Sequence, residues 1–220
     1  MDYHSVVYGN YKESTYPRRL VWKLIWDYMR DARRCNVPPC ASILDVGCGT
    51  GQMVGIFNDF GFDSYGIDSE IDLNKDKIPF KTNKFDYVFT KSTIEHVYNT
   101  DHFLSEIRRV LKPGGKVIIL LPSWEYNYKV FYDDYTHVKP FHRKGLQDAM
   151  KINGFKDVSV TYFYHLPWLW KPGTTTIKKY LLPVVWFLRL FPKWKNKEEN
   201  IHRPNIRFAK EVQLLGIASK

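Results

Sequence analysis

The amino-acid sequence predicts an α/β fold, a mostly parallel sheet covered by helices on both faces. Three observations carry that prediction. Short apolar runs alternate with stretches of helical spacing through residues 40 to 160. The first run, Ile43-Leu44-Asp45-Val46, feeds straight into three alternate glycines, Gly47, Gly49 and Gly51. A second run, Ser64 to Asp68, ends in a carboxylate about 20 residues further on, the spacing of an acid that reads ribose hydroxyls.

Each element follows from its local pattern. Ile43, Leu44 and Val46 read as a short buried strand, and Gln52 to Phe60 as a helix closed by Gly61. Between them the backbone must reverse tightly. Glycines there take positive φ and leave no Cβ in the way, so a ligand can lie directly against the main chain. Lys84 to Thr90 alternates and then runs apolar, as a central strand does. Phe103, Leu104, Ile107, Val110 and Leu111 have helical spacing, and Pro113-Gly114-Gly115 turns the chain into the strand Lys116 to Leu121. A helix over Arg143 to Ile152 and a strand over Val158 to Tyr164 follow. The last strand is read in Asn205 to Ala218, from Ile206, Phe208, Val212, Leu214, Leu215 and Ile217. Upstream, a helix is expected from about Tyr16 to Arg33.

Composition narrows the class. The 220 residues suffice for one domain with a sizeable core. Cys35, Cys40 and Cys48 form no C-x-x-C pair and leave an odd count, which speaks for a reducing compartment and against a disulfide framework or a zinc site. Met1 to Tyr16 lacks an apolar signal core, so the reading is cytoplasmic. The net charge is +10, and its clearest cluster is an acid-free stretch between Trp168 and Lys197. There Lys171, Lys178, Lys179, Arg189, Lys193, Lys195 and Lys197 interleave with aromatic rings. Its apolar centre, Tyr180 to Phe191, is about a dozen residues, short of the about 20 that a spanning helix needs. It suits a peripheral contact with an anionic membrane surface. The other reading is a lid helix that buries its apolar face and shows its lysines to water.

The glycine spacing separates two cofactors. A dinucleotide fingerprint is G-x-G-x-x-G, whereas Gly47-Cys48-Gly49-Thr50-Gly51 is G-x-G-x-G with Asp45 two residues ahead. At these residues the chain resembles the class I S-adenosylmethionine (SAM) dependent methyltransferases. The likeness continues through Ile78-Pro79-Phe80, Lys84 to Phe89, Ile94-Glu95-His96 and Leu111 to Gly115, spaced as in the small-molecule branch of that family. It implies a Rossmann-like seven-stranded sheet whose last strand runs antiparallel beside the sixth. It also implies SAM as cofactor, with Gly47, Cys48, Gly49 and Gly51 along its methionine and ribose part and Asp45 positioning the loop. Asp68, followed by Ser69, is the ribose acceptor. The helix usual between the second and third strands looks deleted, which would leave the adenine edge open to water. Ile71-Asp72-Leu73 then matches the short third strand, with Asp72 toward the adenine amino group or, alternatively, a solvated turn carboxylate. Tyr8 or Tyr11 of the N-terminal segment would cover the methionine end. The rival reading of the glycines is an ordinary βαβ turn without a ligand.

Candidate catalytic groups lie beyond the carboxyl ends of the strands, where open α/β sheets place their ligands. His96 follows the fourth strand of the family pattern and either shapes the pocket or acts as a base. In Asp133-Asp134-Tyr135-Thr136-His137, after the fifth strand, His137 is the best base, with Asp133 or Asp134 to orient it. An unperturbed imidazole near pKa 6.5 suits proton removal close to neutrality. Otherwise His137 is a structural histidine that fixes the loop before Pro140. The Thr136-His137-x-x-Pro140-Phe141 segment resembles, less specifically, family members that act on sugars and glycans.

The domain reading is a cap and helix over 1–36 and a methyltransferase domain over 37–220, with a basic aromatic insertion at 166–204. The functional reading is methyl transfer to a hydroxyl of a small molecule, a sugar or a lipid-linked glycan. An RNA-directed enzyme is one rival, against which the chain lacks the Asn/Asp-Pro-Pro-aromatic motif after the fourth strand; nucleic acid is therefore not the expected partner. The other is an inactive SAM-fold module at a membrane.

Overall fold

The structure, a computed structural model, describes Trp22, Lys23, Trp26 and residues 40–164 and 212–220. Tyr8, Tyr11, the insertion at 166–204 with its basic stretch, and the first half of the expected last strand lie outside the described residues. Of the expected N-terminal helix, Trp22, Lys23 and Trp26 are described and are helical.

In chain order the elements are β1 (Ser42–Val46), α1 (Gln52–Asp59), β2 (Asp63–Ile67), β3 (Phe85–Lys91), α2 (Thr100–Val110), β4 (Leu111–Pro122), α3 (Trp124–Asn127), α4 (Arg143–Ile152), β5 (Lys156–Tyr164) and β6 (Val212–Ser219). Short 3-10 turns sit at Ile94–His96 and Phe131–Asp133. The strands form one sheet in the order β2-β1-β3-β4-β6-β5. The first four are parallel, and β6 inserts antiparallel between β4 and β5. This is the expected Rossmann-like sheet with an antiparallel last strand.

The two-residue period of the strands splits the core into two layers. Ile43, Phe89 and Ile118 point to one face, where Met53, Ile56 and Phe57 of α1 and the fully buried Trp22 cover them. Leu44, Val88 and Ile119 point to the other, under Phe103, Leu104 and Ile107 of α2 and Leu146 and Met150 of α4. Trp22 meets Phe57 edge-on at 4.6 Å, so Trp22 is part of the core. Among the described residues no helix is long and apolar enough to cross a membrane.

One expectation is corrected. Seven strands were expected and the described residues hold six, because Ile71-Asp72-Leu73 is a turn. The reason is local. The Asp72 carboxylate accepts hydrogen bonds from the backbone and side-chain nitrogens of Asn74, both at 3.0 Å, while the Asp72 amide donates to Asp76 at 3.0 Å. An Asp that captures the amide two residues on closes an Asx-turn, which competes with strand pairing. As expected, no helix separates β2 from β3. The Pro113-Gly114-Gly115 turn lies within the first residues of β4: Leu111 pairs with Phe85, the pairing resumes at Lys116 opposite Tyr87, and Gly114 has a φ of 75°.

Candidate functional site

The parallel strands bring the carboxyl ends of β1 to β4 to one edge, and the candidate residues lie along it. At the end of β1, Gly47, Gly49 and Gly51 have φ of 80°, 54° and 76°, the left-handed region. Gly47 is held there by packing. A Cβ on it would lie 2.1 Å from Thr93 Oγ1, and the Thr93 hydroxyl lies 3.2 Å from the Val46 and Lys91 carbonyls that can accept from it. The amides of Gly47 and Cys48 both donate to the Ile67 carbonyl, at 2.9 and 3.0 Å, which ties the loop to the end of β2. Asp68 follows at once, and its Oδ1 accepts from the Gly49 amide at 3.1 Å.

Acids gather around this bare turn. Asp45 is buried at the tip of β1, and Glu70, a residue the sequence reading passed over, accepts from the Asp68 amide at 3.0 Å. Burial, and then the charges of Asp45, Asp68 and Glu70, push the Cys48 thiol up to about 11. Cys48 is therefore a neutral thiol and no nucleophile at neutral pH. A turn with glycine at every second position, ringed by carboxylates, fits a ligand that carries a sulfonium, an ammonium and a ribose. Ser69 is exposed on the turn after β2. Asp72 belongs to its own turn, where the Asn74 amide and side chain and then Lys75 hold its carboxyl below the usual range. Lys75 lies 3.3 Å away.

A second cluster forms beyond β3 and β4. His96 ends the 3-10 turn after β3, and His137 stands in the loop after β4. The Glu95 carbonyl accepts from the amides of Val138 and Lys139, at 2.9 and 3.0 Å, and fastens the two segments together. The rings of His96 and His137 lie 4.7 Å apart. His137 Nδ1 lies 2.5 Å from the Phe131 carbonyl, and His96 Nδ1 lies 3.2 Å from the Thr136 carbonyl. A carbonyl only accepts, so both rings carry their proton on Nδ1 and turn the Nε2 lone pair elsewhere.

Asp134 joins them. Its Oδ1 accepts from the Thr136 amide at 3.0 Å and from the Thr136 hydroxyl at 2.7 Å, and that hydroxyl lies 2.8 Å from His96 Nδ1. Asp134 Oδ2 lies 4.0 Å from His137 Nε2. Burial, and then the neighbouring His137, hold His96 below the usual imidazole range, so it is neutral near pH 7. The structure thus brings the predicted His96, Asp134 and His137 together, with Asp134 as the nearer of the two aspartates considered. Thr136 and Thr93 were given no role by sequence, and Glu95 only a place in the Ile94-Glu95-His96 motif. Thr93 joins the two clusters, since it packs on Gly47 and its carbonyl accepts from the His96 amide at 2.9 Å.

A family model described as "Methyltransferase domain" matches residues 23–160. The chain belongs to the class I SAM-dependent methyltransferases. Its cofactor is SAM, which the bare acidic turn fits. This methyltransferase is 31% identical over 146 residues to phosphoethanolamine N-methyltransferase 2 of Caenorhabditis elegans, covering 54% of its own length and 33% of the relative's. It is also 31% identical over 128 residues to the ubiquinone/menaquinone biosynthesis C-methyltransferase UbiE of Cupriavidus metallidurans, covering 47% and 52%. It therefore spans about a third to a half of these two relatives. Among solved structures, a SAM-dependent methyltransferase from Archaeoglobus fulgidus has the same fold, with a TM-score of 0.64 at 22% identity over the whole of both chains. Phosphoethanolamine N-methyltransferase 2 of Haemonchus contortus, solved with phosphomonomethylethanolamine and S-adenosylhomocysteine, superposes with a TM-score of 0.61 at 19% identity, over 100% of this chain and 59% of that one.

Proposed function

We propose that this methyltransferase moves the methyl group of SAM to a hydroxyl oxygen of a small molecule, a sugar or a lipid-linked glycan. The supporting observation is the His96–Thr136–Asp134–His137 cluster beyond the carboxyl ends of β3 and β4, in which both rings spend Nδ1 on a carbonyl and so keep the lone pair on Nε2. SAM supplies a sulfonium methyl already activated for displacement. The chain has three tasks: to position the acceptor, to exclude water and to receive one proton.

Gly47, Cys48, Gly49 and Gly51 cradle the methionine and ribose part, Asp45 holds the loop, and Asp68 with Ser69 takes the ribose hydroxyls. Asp72 caps the adenine edge from its turn, and Tyr11 covers the methionine end. The acceptor hydroxyl donates to His137 Nε2. As the oxygen–carbon bond forms and the sulfur–carbon bond breaks, the proton passes to that nitrogen, and Asp134 faces the resulting imidazolium. His96, neutral and fixed by Thr136, walls the site.

In the same reading residues 1–36 form a cap on a domain over 37–220, and the insertion at 166–204 reaches an anionic membrane surface through 168–197 from the cytoplasmic side. Co-sedimentation with anionic but not neutral liposomes is the expected result for that contact, and no binding to either removes it. The acceptor class is tested by transfer of a labelled methyl group from SAM. Sugar nucleotides, lipid-linked saccharides and phenols are compared with phosphoethanolamine and RNA. Label on a hydroxyl acceptor is expected; label only on an amine or on RNA overturns the proposal.

A further inference from the structure

We infer that Glu95, His96 and His137 form a binding site for a divalent transition-metal ion. One ligand atom from each of the three lies within 4.8 Å of the others. Metal–nitrogen and metal–oxygen bonds of about 2.0 to 2.2 Å span at most about 4.4 Å between two ligand atoms, so a shift of a few tenths of an ångström closes the three around a single ion.

The surroundings make this more than proximity. A metal-binding histidine usually donates its second ring N–H to a carbonyl or carboxylate, which fixes the tautomer and raises the basicity of the ligating nitrogen. Both histidines here have that support, His137 from the Phe131 carbonyl and His96 from the Thr136 carbonyl. Glu95 is fully buried, and a dication among the three groups offsets the cost of taking a carboxylate out of water. The Glu95 carbonyl, bonded to the Val138 and Lys139 amides, holds the Glu95-His96 pair against the His137 loop, so the donor set is assembled before an ion arrives.

Two nitrogens and one carboxylate suit manganese, iron or zinc better than magnesium or calcium, and three protein ligands leave coordination positions open. His137 and Asp134 keep 14% and 26% of their side-chain surface exposed, so the open side faces solvent and Asp134 stands beside it. This inference rests on the acceptor site proposed above and changes two roles in it, since His96 becomes a ligand as well as a wall. With the ion in place the His137 lone pair is a ligand, the acceptor hydroxyl takes an open position, and its proton leaves to solvent water as the oxygen–carbon bond forms.

The test uses the full chain, freed of metal by a chelator and titrated calorimetrically with Mn²⁺ and with Zn²⁺. One equivalent is expected to bind. His96→Ala and His137→Ala should each weaken binding by about 100-fold or more. His142→Ala, at an exposed histidine elsewhere, should leave it unchanged. S-adenosylhomocysteine binding reports that each variant is folded, and nitrogen hyperfine coupling of Mn²⁺ in the unaltered protein gives a readout without substitution, with two imidazoles expected. No uptake, or full uptake in the two histidine variants, overturns the site. If metal binding fails but His137→Ala still abolishes turnover, the base reading stands alone. If metal binds and His137→Ala retains turnover, the metal site stands and the acceptor reading fails.

Discussion

Gly47→Ala separates two reasons for a glycine that the neighbouring Gly51 allows to be compared. Both have positive φ, 80° and 76°, where an L-residue costs about 1 to 2 kcal/mol. At Gly51 a Cβ meets nothing within 4 Å, so that conformational cost is the whole effect. At Gly47 the Cβ would also lie 2.1 Å from Thr93 Oγ1, 2.8 Å from Cγ2 and 3.0 Å from Cβ. Overpacking adds about 1 to 3 kcal/mol, and Gly47→Ala should cost about 2 to 5 kcal/mol in all. Urea unfolding measures both, as a shift of midpoint at constant slope. Thr93→Ala removes the two nearest atoms and leaves Cβ at 3.0 Å, so the Gly47→Ala/Thr93→Ala double variant should recover most of the overpacking part, a coupling of about 1 to 3 kcal/mol. If Gly47→Ala is no worse than Gly51→Ala, or the double variant is merely additive, the close packing of the glycine turn on Thr93 is refuted.

Two further outcomes follow from the histidine cluster and from the Glu106–Arg109 ion pair of α2. His137→Ala should lower the turnover number by about 10²-fold or more with little change in SAM affinity, and an unchanged turnover number removes His137 from the chemistry. Thermal stability should fall in two steps on acidification. His96 has a folded pKa below its unfolded value of 6.5, so the unfolded chain binds more protons between the two; stability is complete above about 6.5 and declines as pH drops through the folded value. The Arg109 guanidinium holds Glu106 below its ordinary 4.5, so that contribution is present above about 4.5 and declines only at lower pH. Melting temperature against pH for His96→Gln should lack the first step and keep the second.

The parts of the fold with strong local signals were readable from sequence. The glycine turn, the central strand over Phe85–Lys91 and the helix over Arg143–Ile152 follow from periodicity and punctuation, and the antiparallel last strand from the family likeness. Ile71-Asp72-Leu73 matches the short third strand of the family pattern, but the Asn74 that turns it acts through hydrogen bonds to the Asp72 side chain, so of the two readings of Asp72 the turn carboxylate is the one the structure has. His96 and His137 are 41 positions apart in the chain, so no spacing rule joins them; the Glu95 carbonyl and the contacts of His96 with Thr136, made across the gap, do so. Thr93 was invisible for the same reason, its role being to fill the space that a Cβ on Gly47 would need. Asp134 was distinguishable from Asp133 only once the Thr136 amide and hydroxyl were seen to bind it.

The most direct test of the central claim, that the acidic glycine turn holds SAM, is a calorimetric titration with S-adenosylhomocysteine. Binding of one equivalent is predicted. Asp68→Ala, which deletes the carboxylate that accepts from the Gly49 amide at 3.1 Å, should weaken it by about tenfold or more, the worth of a charge-assisted hydrogen bond. No binding by the unaltered chain, or undiminished binding by Asp68→Ala, would contradict the account.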